Sequence, residues 1–204
     1  MITRVQALTA AVEASPDAVF VVTCGATSRE MAAVADQPNN LYLLDSMGLT
    51  TSVGLGLAVG LKDRHRHVVA IDGDGSLLMN LGSLATIGAY GPSNLTVLLL
   101  DNGVHASAAG VPTTSERIDI CRIAEGCGMD AREVLTTEDL VQGLRDAIGD
   151  ERPHLLRVRI APGNAKGIPW LHADPVVLGE RFRSWLDRPA EDAIPIGVSR
   201  PGGV

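Results

Sequence analysis

Aromatic side chains are scarce in this chain, with two each of Trp, Tyr and Phe among 204 residues. Any core must therefore be built from Ala, Val, Leu and Ile. Cysteine is also sparse: Cys24, Cys121 and Cys127 are the only three, and they form no CxxC pair or repeating framework. That excludes a disulfide scaffold and suits a reducing compartment. Cys127 can be read as a nucleophile or as a small buried residue, and the second reading is favoured. No apolar run approaches the roughly 20 residues that a membrane span needs. The opening stretch MITRVQALTAAVEASP carries Glu13 and a helical polar–apolar spacing, unlike a signal peptide. Positive charge is in short supply too. With 17 Lys and Arg against 24 Asp and Glu, the net charge of −7 argues against a nucleic-acid or anionic-membrane surface. A bound phosphate would be held by backbone groups and a metal rather than by a basic cluster, and the expected location is the cytoplasm.

The remainder has an ordinary globular profile, 46% hydrophobic and 20% charged. The length suits one sizeable α/β domain. Helical patterning is expected over residues 2–14, 28–35, 51–61, 76–90, 116–127, 138–148 and 175–186. Strands are expected over 17–23, 41–44, 67–71, 95–100 and 155–160. This alternation predicts a single three-layer α/β domain over residues 1–187, with a mostly parallel sheet covered by helices on both faces. Residues 188–204, rich in Pro and Gly, are expected to form a mobile tail or an arm lying on a partner.

Two glycine clusters invite a nucleotide-binding reading. In SVGLGLAVG, Gly54, Gly56 and Gly60 miss the GxGxxG spacing and follow no clear strand, so close helix–sheet packing explains them better. Gly73-Asp74-Gly75 does follow a strand and opens a helix, where backbone N–H groups attract anions. Leu78, however, stands where the third glycine belongs, and Asp74 would repel a phosphate.

A divalent cation between Asp74 and a diphosphate removes that conflict. Mg²⁺ takes six oxygen ligands, typically one or two carboxylates plus substrate phosphates. Asn102 follows the next strand, and the helix between them is the crossover of a βαβ unit. Both loops then emerge at the same carboxyl edge, about 4.8 Å apart if the strands are neighbours. The Asn102 amide oxygen and the Val104 carbonyl would join Asp74. Taken singly, Asp74 could cap a helix and Asn102 could turn with Gly103. Together, at the two ends of one unit, they favour a metal–diphosphate site.

GDGS, a helix, a strand and then DNG resemble the thiamine diphosphate-binding motif. The segments VVTCGATSRE, YLLDSMGLTTSVGLGLAVGL, IDGDGSLLMNLGSLATIGAYGPSNL and LLLDNGVHAS together resemble the diphosphate-binding domain of sulfopyruvate and phosphonopyruvate decarboxylases. The likeness is specific from about Val21 to His105 and continues more weakly through PHLLRVRIAPG and DPVVLGERFRSWL. It implies a thiamine diphosphate-binding fold in which Asp74, Asn102 and the Val104 carbonyl bind Mg²⁺. Gly25, Thr27, Gly75 and Ser76 would contact the diphosphate, with Gly73 in the same turn. Met47, flanked by Ser46 and Gly48, would prop the cofactor in its bent shape, the alternative being simple core packing. The implied reaction converts a small anionic 2-oxo acid to an aldehyde and CO₂, with the cofactor carrying the difficult chemistry.

The resemblance also implies a pyrimidine-binding domain that supplies a glutamate, and no segment resembles one. None of Glu30, Glu116 and Glu180 lies in such a segment. The chain is therefore expected to be the β subunit of a split enzyme, in an α2β2 or larger assembly with a pyrimidine-binding α subunit. The family's polar, glycine-rich STGGQ-like continuation is replaced here by Ser107-Ala108-Ala109-Gly110-Val111-Pro112, so a changed specificity is an expectation on that side. His105 is the candidate proton donor or substrate contact, the alternative being a histidine that only hydrogen-bonds its loop. His65, His67, His154 and His172 read as solvated or structural. No cationic substrate pocket is legible. An acetolactate synthase-like carboligase subunit is the competing enzyme, and a non-catalytic phosphate- or nucleotide-binding module the competing class.

Overall fold

Four apolar runs are buried along almost their whole length, the pattern expected of central strands covered on both faces. They are β1 (Val19–Val22), β3 (Val68–Gly73), β4 (Leu95–Asp101) and β8 (His154–Arg159). With β2 (Asn40–Tyr42) and β7 (Asp130–Val134) they form a six-stranded sheet in the order β2-β1-β3-β4-β8-β7, with every pair parallel. The structure, a computed structural model, describes residues 1–64 and 66–188. His65 and all of the expected tail except Arg188 lie outside the described residues.

Alternate side chains along each strand feed two cores. Phe20, Val22, Ile71, Leu98 and Val158 face α1 (Arg4–Ala14), α2 (Ala26–Ala35) and α7 (Thr137–Ala147). Val21, Ala70, Val97, Leu99 and Leu155 face α3 (Thr50–Gly60), α4 (Asp74–Met79), α5 (Ser83–Tyr90) and α6 (Ile120–Gly126). Each fully buried Leu, Ile or Val contributes about 1.5–3 kcal/mol, so the aliphatic core needs few aromatics. A last helix, α8 (Pro175–Leu186), inserts Leu178 and Phe182. Among the described residues, no helix is long and apolar enough to cross a membrane.

Four local features differ from the sequence expectation. The helix expected over 76–90 is broken into α4 and α5, because Asn80 leaves helical geometry (φ −142°, ψ 48°). Its side chain donates instead to the Gly48 carbonyl and the Ser52 hydroxyl. β7 was not anticipated, since DAREV lies at the sheet edge and is largely polar. A small antiparallel hairpin of β5 (Val104–His105) and β6 (Val111–Pro112) also forms, from strands too short to carry a sequence pattern. The glycines of α3 divide: a Cβ on Gly54 would stand 2.8 Å from the Ala70 Cβ, whereas Gly56 and Gly60 face open space. Close helix–sheet packing thus explains Gly54 alone.

Candidate functional site

Strand order reverses between β1 and β3. The chain leaves β1 toward β2 and leaves β3 toward β4, so their carboxyl-end loops part and open a crevice. A cleft of about 290 Å³ lies there, lined in part by Gly25, Thr27, Met47, Gly73 and Gly75. Asp74, Ser76, Asn102, Val104 and His105 line the same cleft. Ser46 is exposed, and Gly48 is buried just behind the cleft.

Asp74 and Asn102 follow adjacent parallel strands, paired in register up to Gly73 opposite Leu100. Gly73 is the N-cap of α4 and has no side-chain cap. The Asp74 carboxylate is engaged across the loop: Oδ1 accepts the Asn102 N–H at 3.3 Å and Oδ2 accepts the Thr113 hydroxyl at 2.5 Å. Asn102 forms the local turn of the alternative reading, its Oδ1 accepting the Val104 N–H at 3.1 Å. Burial pushes the Asp74 carboxyl upward; the Thr113 bond opposes this and the charge of Asp101 adds to it. Asp74 is 2% exposed and, among the described residues, has no cationic partner. A buried carboxylate is normally paired or bound to metal. The surrounding acceptors are all oxygens (a carboxylate, an amide and a main-chain carbonyl), a donor set that suits Mg²⁺.

Opposite this pair, α2 begins at Gly25, whose φ of 81° places it in the glycine-favoured region. No side chain caps this end, so the first N–H groups of α2 are available to an anion. Met47 belongs to neither core cluster and lines the cleft. Its neighbour Gly48 (φ 85°) donates its N–H to the Ser76 hydroxyl at 2.9 Å and accepts from the Asn80 amide at 2.9 Å. The Met47 loop is thereby clamped to α4.

The imidazole of His105 lies against Gly75. A Cβ on that glycine would be 2.4 Å from His105 Nδ1, so the bare turn is what lets the ring lie in this position. The main chain of His105, rather than its ring, holds the hairpin: its carbonyl accepts from Ala108 and Gly110.

Several residues here were not anticipated. Asp101 is fully buried beneath Asn102, and its Oδ2 accepts from Arg157 Nε and Nη2 at 2.8 and 2.6 Å. Its Oδ1 takes the Ser115 hydroxyl and the Gly103 N–H, both at 3.0 Å. Asp72, under the turn, accepts the Gly73 N–H, and burial pushes its carboxyl up. Arg4 and Arg29 also line the cleft, although no cationic pocket was legible in the sequence. The adjacent DNG and TSRE segments marked Asp101 and Arg29; nothing local marked Thr113, Ser115, Arg157 or Arg4.

Residues 23–158 match the family model described as "Thiamine pyrophosphate enzyme, C-terminal TPP binding domain". The chain is 39% identical to the phosphonopyruvate decarboxylase of Streptomyces viridochromogenes, over 99% of this chain and 50% of that protein. It therefore spans about half the length of that relative. It is 37% identical to sulfopyruvate decarboxylase subunit beta of Methanocaldococcus jannaschii, over 83% of this chain and 89% of that one. Among solved structures, benzoylformate decarboxylase from Polynucleobacter necessarius superposes with a TM-score of 0.69 at 20% identity. That match covers 78% of this chain and 33% of the other, and it bears on the fold.

Proposed function

Because this chain belongs to the thiamine pyrophosphate enzyme family, through its C-terminal TPP-binding domain, we propose that it is the diphosphate-binding subunit of a split decarboxylase. Its substrate would be a small anionic 2-oxo acid, sulfopyruvate or phosphonopyruvate first, and its products an aldehyde and CO₂. One observation carries this reading. Asp74 and Asn102, which follow adjacent parallel strands, are joined by the Asn102 N–H to Asp74 Oδ1 bond and line one cleft beside an uncapped helix end.

Thiamine diphosphate, when bound, supplies the carbon nucleophile and electron sink that decarboxylation of a 2-oxo acid needs. The residues of this chain bind and orient it. Asp74, Asn102 and the Val104 carbonyl would hold Mg²⁺, and the N–H groups around Gly25 and Thr27, with Gly75 and Ser76, would take the diphosphate. Met47 would support the cofactor's bend. His105, beside Gly75, would hold or deliver a proton on the substrate side. The partner would be a pyrimidine-binding α subunit that contributes the glutamate, in an α2β2 or larger assembly. The match to a separate beta subunit over 89% of its length supports that arrangement. Three free cysteines support a reducing compartment, the cytoplasm.

The test is co-expression with candidate pyrimidine-binding chains, followed by assay with thiamine diphosphate, Mg²⁺, sulfopyruvate, phosphonopyruvate and pyruvate. CO₂ release that needs both chains is expected. Full activity from this chain alone would overturn the split site, and acetolactate from pyruvate would point to a carboligase.

A further inference from the structure

Arg4 and Arg29 enter the same cleft in different states. Arg4 is 6% exposed and already committed: its Nη1 lies 2.9 Å from Glu30 Oε1 and 3.3 Å from Asn164 Oδ1. Glu30 also accepts the Ala165 N–H at 3.0 Å, so this buried pair ties the segment after β8 to α2. The tie carries Trp170 over α2, where the Arg29 guanidinium carbon stands 4.5 Å from the indole centroid.

Arg29 has no such commitment. Its Nε is buried without a hydrogen-bond partner, and among the described residues it forms no ion pair. It lies one turn inside α2, helical side chains lean toward the N-terminus, and Arg29 and Gly25 line the same cleft. Stacking on Trp170 restricts the rotamers, so less entropy is lost when the guanidinium binds. An isolated surface arginine is usually just solvated. This one lines a cleft, rests on an aromatic ring and keeps a buried donor unsatisfied. In a chain of net charge −7 it is not part of a general basic surface.

We propose that Arg29, stacked on Trp170, is an anion subsite of the cleft that takes a tetrahedral oxyanion, whether phosphate, phosphonate or sulfonate. A guanidinium fork matches two oxygens of such a group. Assigning that oxyanion to a bound reactant rests on the proposed function; the oxyanion chemistry itself does not.

The full chain carrying Trp185→Phe leaves Trp170 as its one tryptophan and hence as the reporter. Titration with methylphosphonate, and separately with inorganic pyrophosphate plus Mg²⁺, is read by indole emission and by calorimetry. At least one probe should saturate. Arg29→Gln should weaken it about tenfold or more, the loss expected for a charge-assisted pair, and Arg29→Lys should restore part of the loss. Weakening of methylphosphonate alone assigns the oxyanion to the substrate. Weakening of magnesium pyrophosphate assigns it to the terminal phosphate of the cofactor. Equal binding of both probes by wild type and Arg29→Gln, or no saturable binding of either, overturns the proposal. The two readings fail separately. A co-expressed pair without decarboxylase activity would sink the proposed function and leave these binding constants standing.

Discussion

Thr113 donates its hydroxyl to Asp74 Oδ2 at 2.5 Å, from a loop 39 residues further along the chain. The other oxygen of Asp74 takes the Asn102 N–H. The carboxylate is thus held from two sides before any cation arrives, and Thr113 is a positioning residue for the proposed metal. Thr113→Val should raise the Mg²⁺ concentration that half-saturates cofactor binding by about tenfold, the equivalent of one charge-assisted hydrogen bond. Thr113→Ser should keep the wild-type value. Calorimetric titration at fixed thiamine diphosphate measures both, and unchanged Mg²⁺ dependence in Thr113→Val would refute the role. Asp74→Ala should remove the metal dependence altogether.

Gly75 and His105 form a second test. A methyl at Gly75 would displace the imidazole, a side chain free to swing, so Gly75→Ala should cost less than about 1 kcal/mol of stability. If His105 acts on the substrate side, activity of the assembled enzyme should fall as far as in His105→Ala. The double variant should be no worse than either single one. Additive losses would separate the two residues.

The glycines of α3 should behave oppositely. Gly54→Ala pushes a methyl to 2.8 Å from Ala70 on β3 and should destabilise by about 1–3 kcal/mol. Gly56→Ala meets nothing and gains helix propensity, so it should be stabilising by up to about 1 kcal/mol. Urea denaturation of the full chain reads both.

His67 sets a pH dependence. Burial, with the charge of His154 second, depresses it from 6.5 to about 4, and its Nε2 meets the Thr96 hydroxyl at 2.8 Å. In the folded chain it stays neutral where the unfolded chain already binds a proton. The unfolded state therefore gains protons first as pH falls from 6.5 toward 4, and stability falls with it, by on the order of 2 kcal/mol. His67→Gln should flatten that part of the stability curve, as measured by denaturation midpoints at pH 7 and 4.5.

The sheet was legible because its central strands are buried on both faces and read as continuous apolar runs. β7 was not, because Arg132 and Glu133 face solvent at the edge. The break at Asn80 depends on the Gly48 carbonyl 32 residues away, which no local pattern encodes. Asp74 and Asn102 could be paired from sequence because one crossover links them and the right-handed rule puts their loops on one edge. Thr113 and Arg157 return to that edge from later loops and strands, so only the fold discloses them. Arg4 sits in an amphipathic pattern that suggests a solvated face, yet its pairing with Glu30 buries it.

The clamp on Gly48 bears on how this domain can be rebuilt. One residue, Gly48, gripped on its N–H by Ser76 and on its carbonyl by Asn80, makes the Met47 loop and α4 a single rigid module. Grafting residues 45–49 alone from a related enzyme would separate the partners of that grip. The segment from Asp45 to Asn80 is the smallest piece that can be exchanged whole.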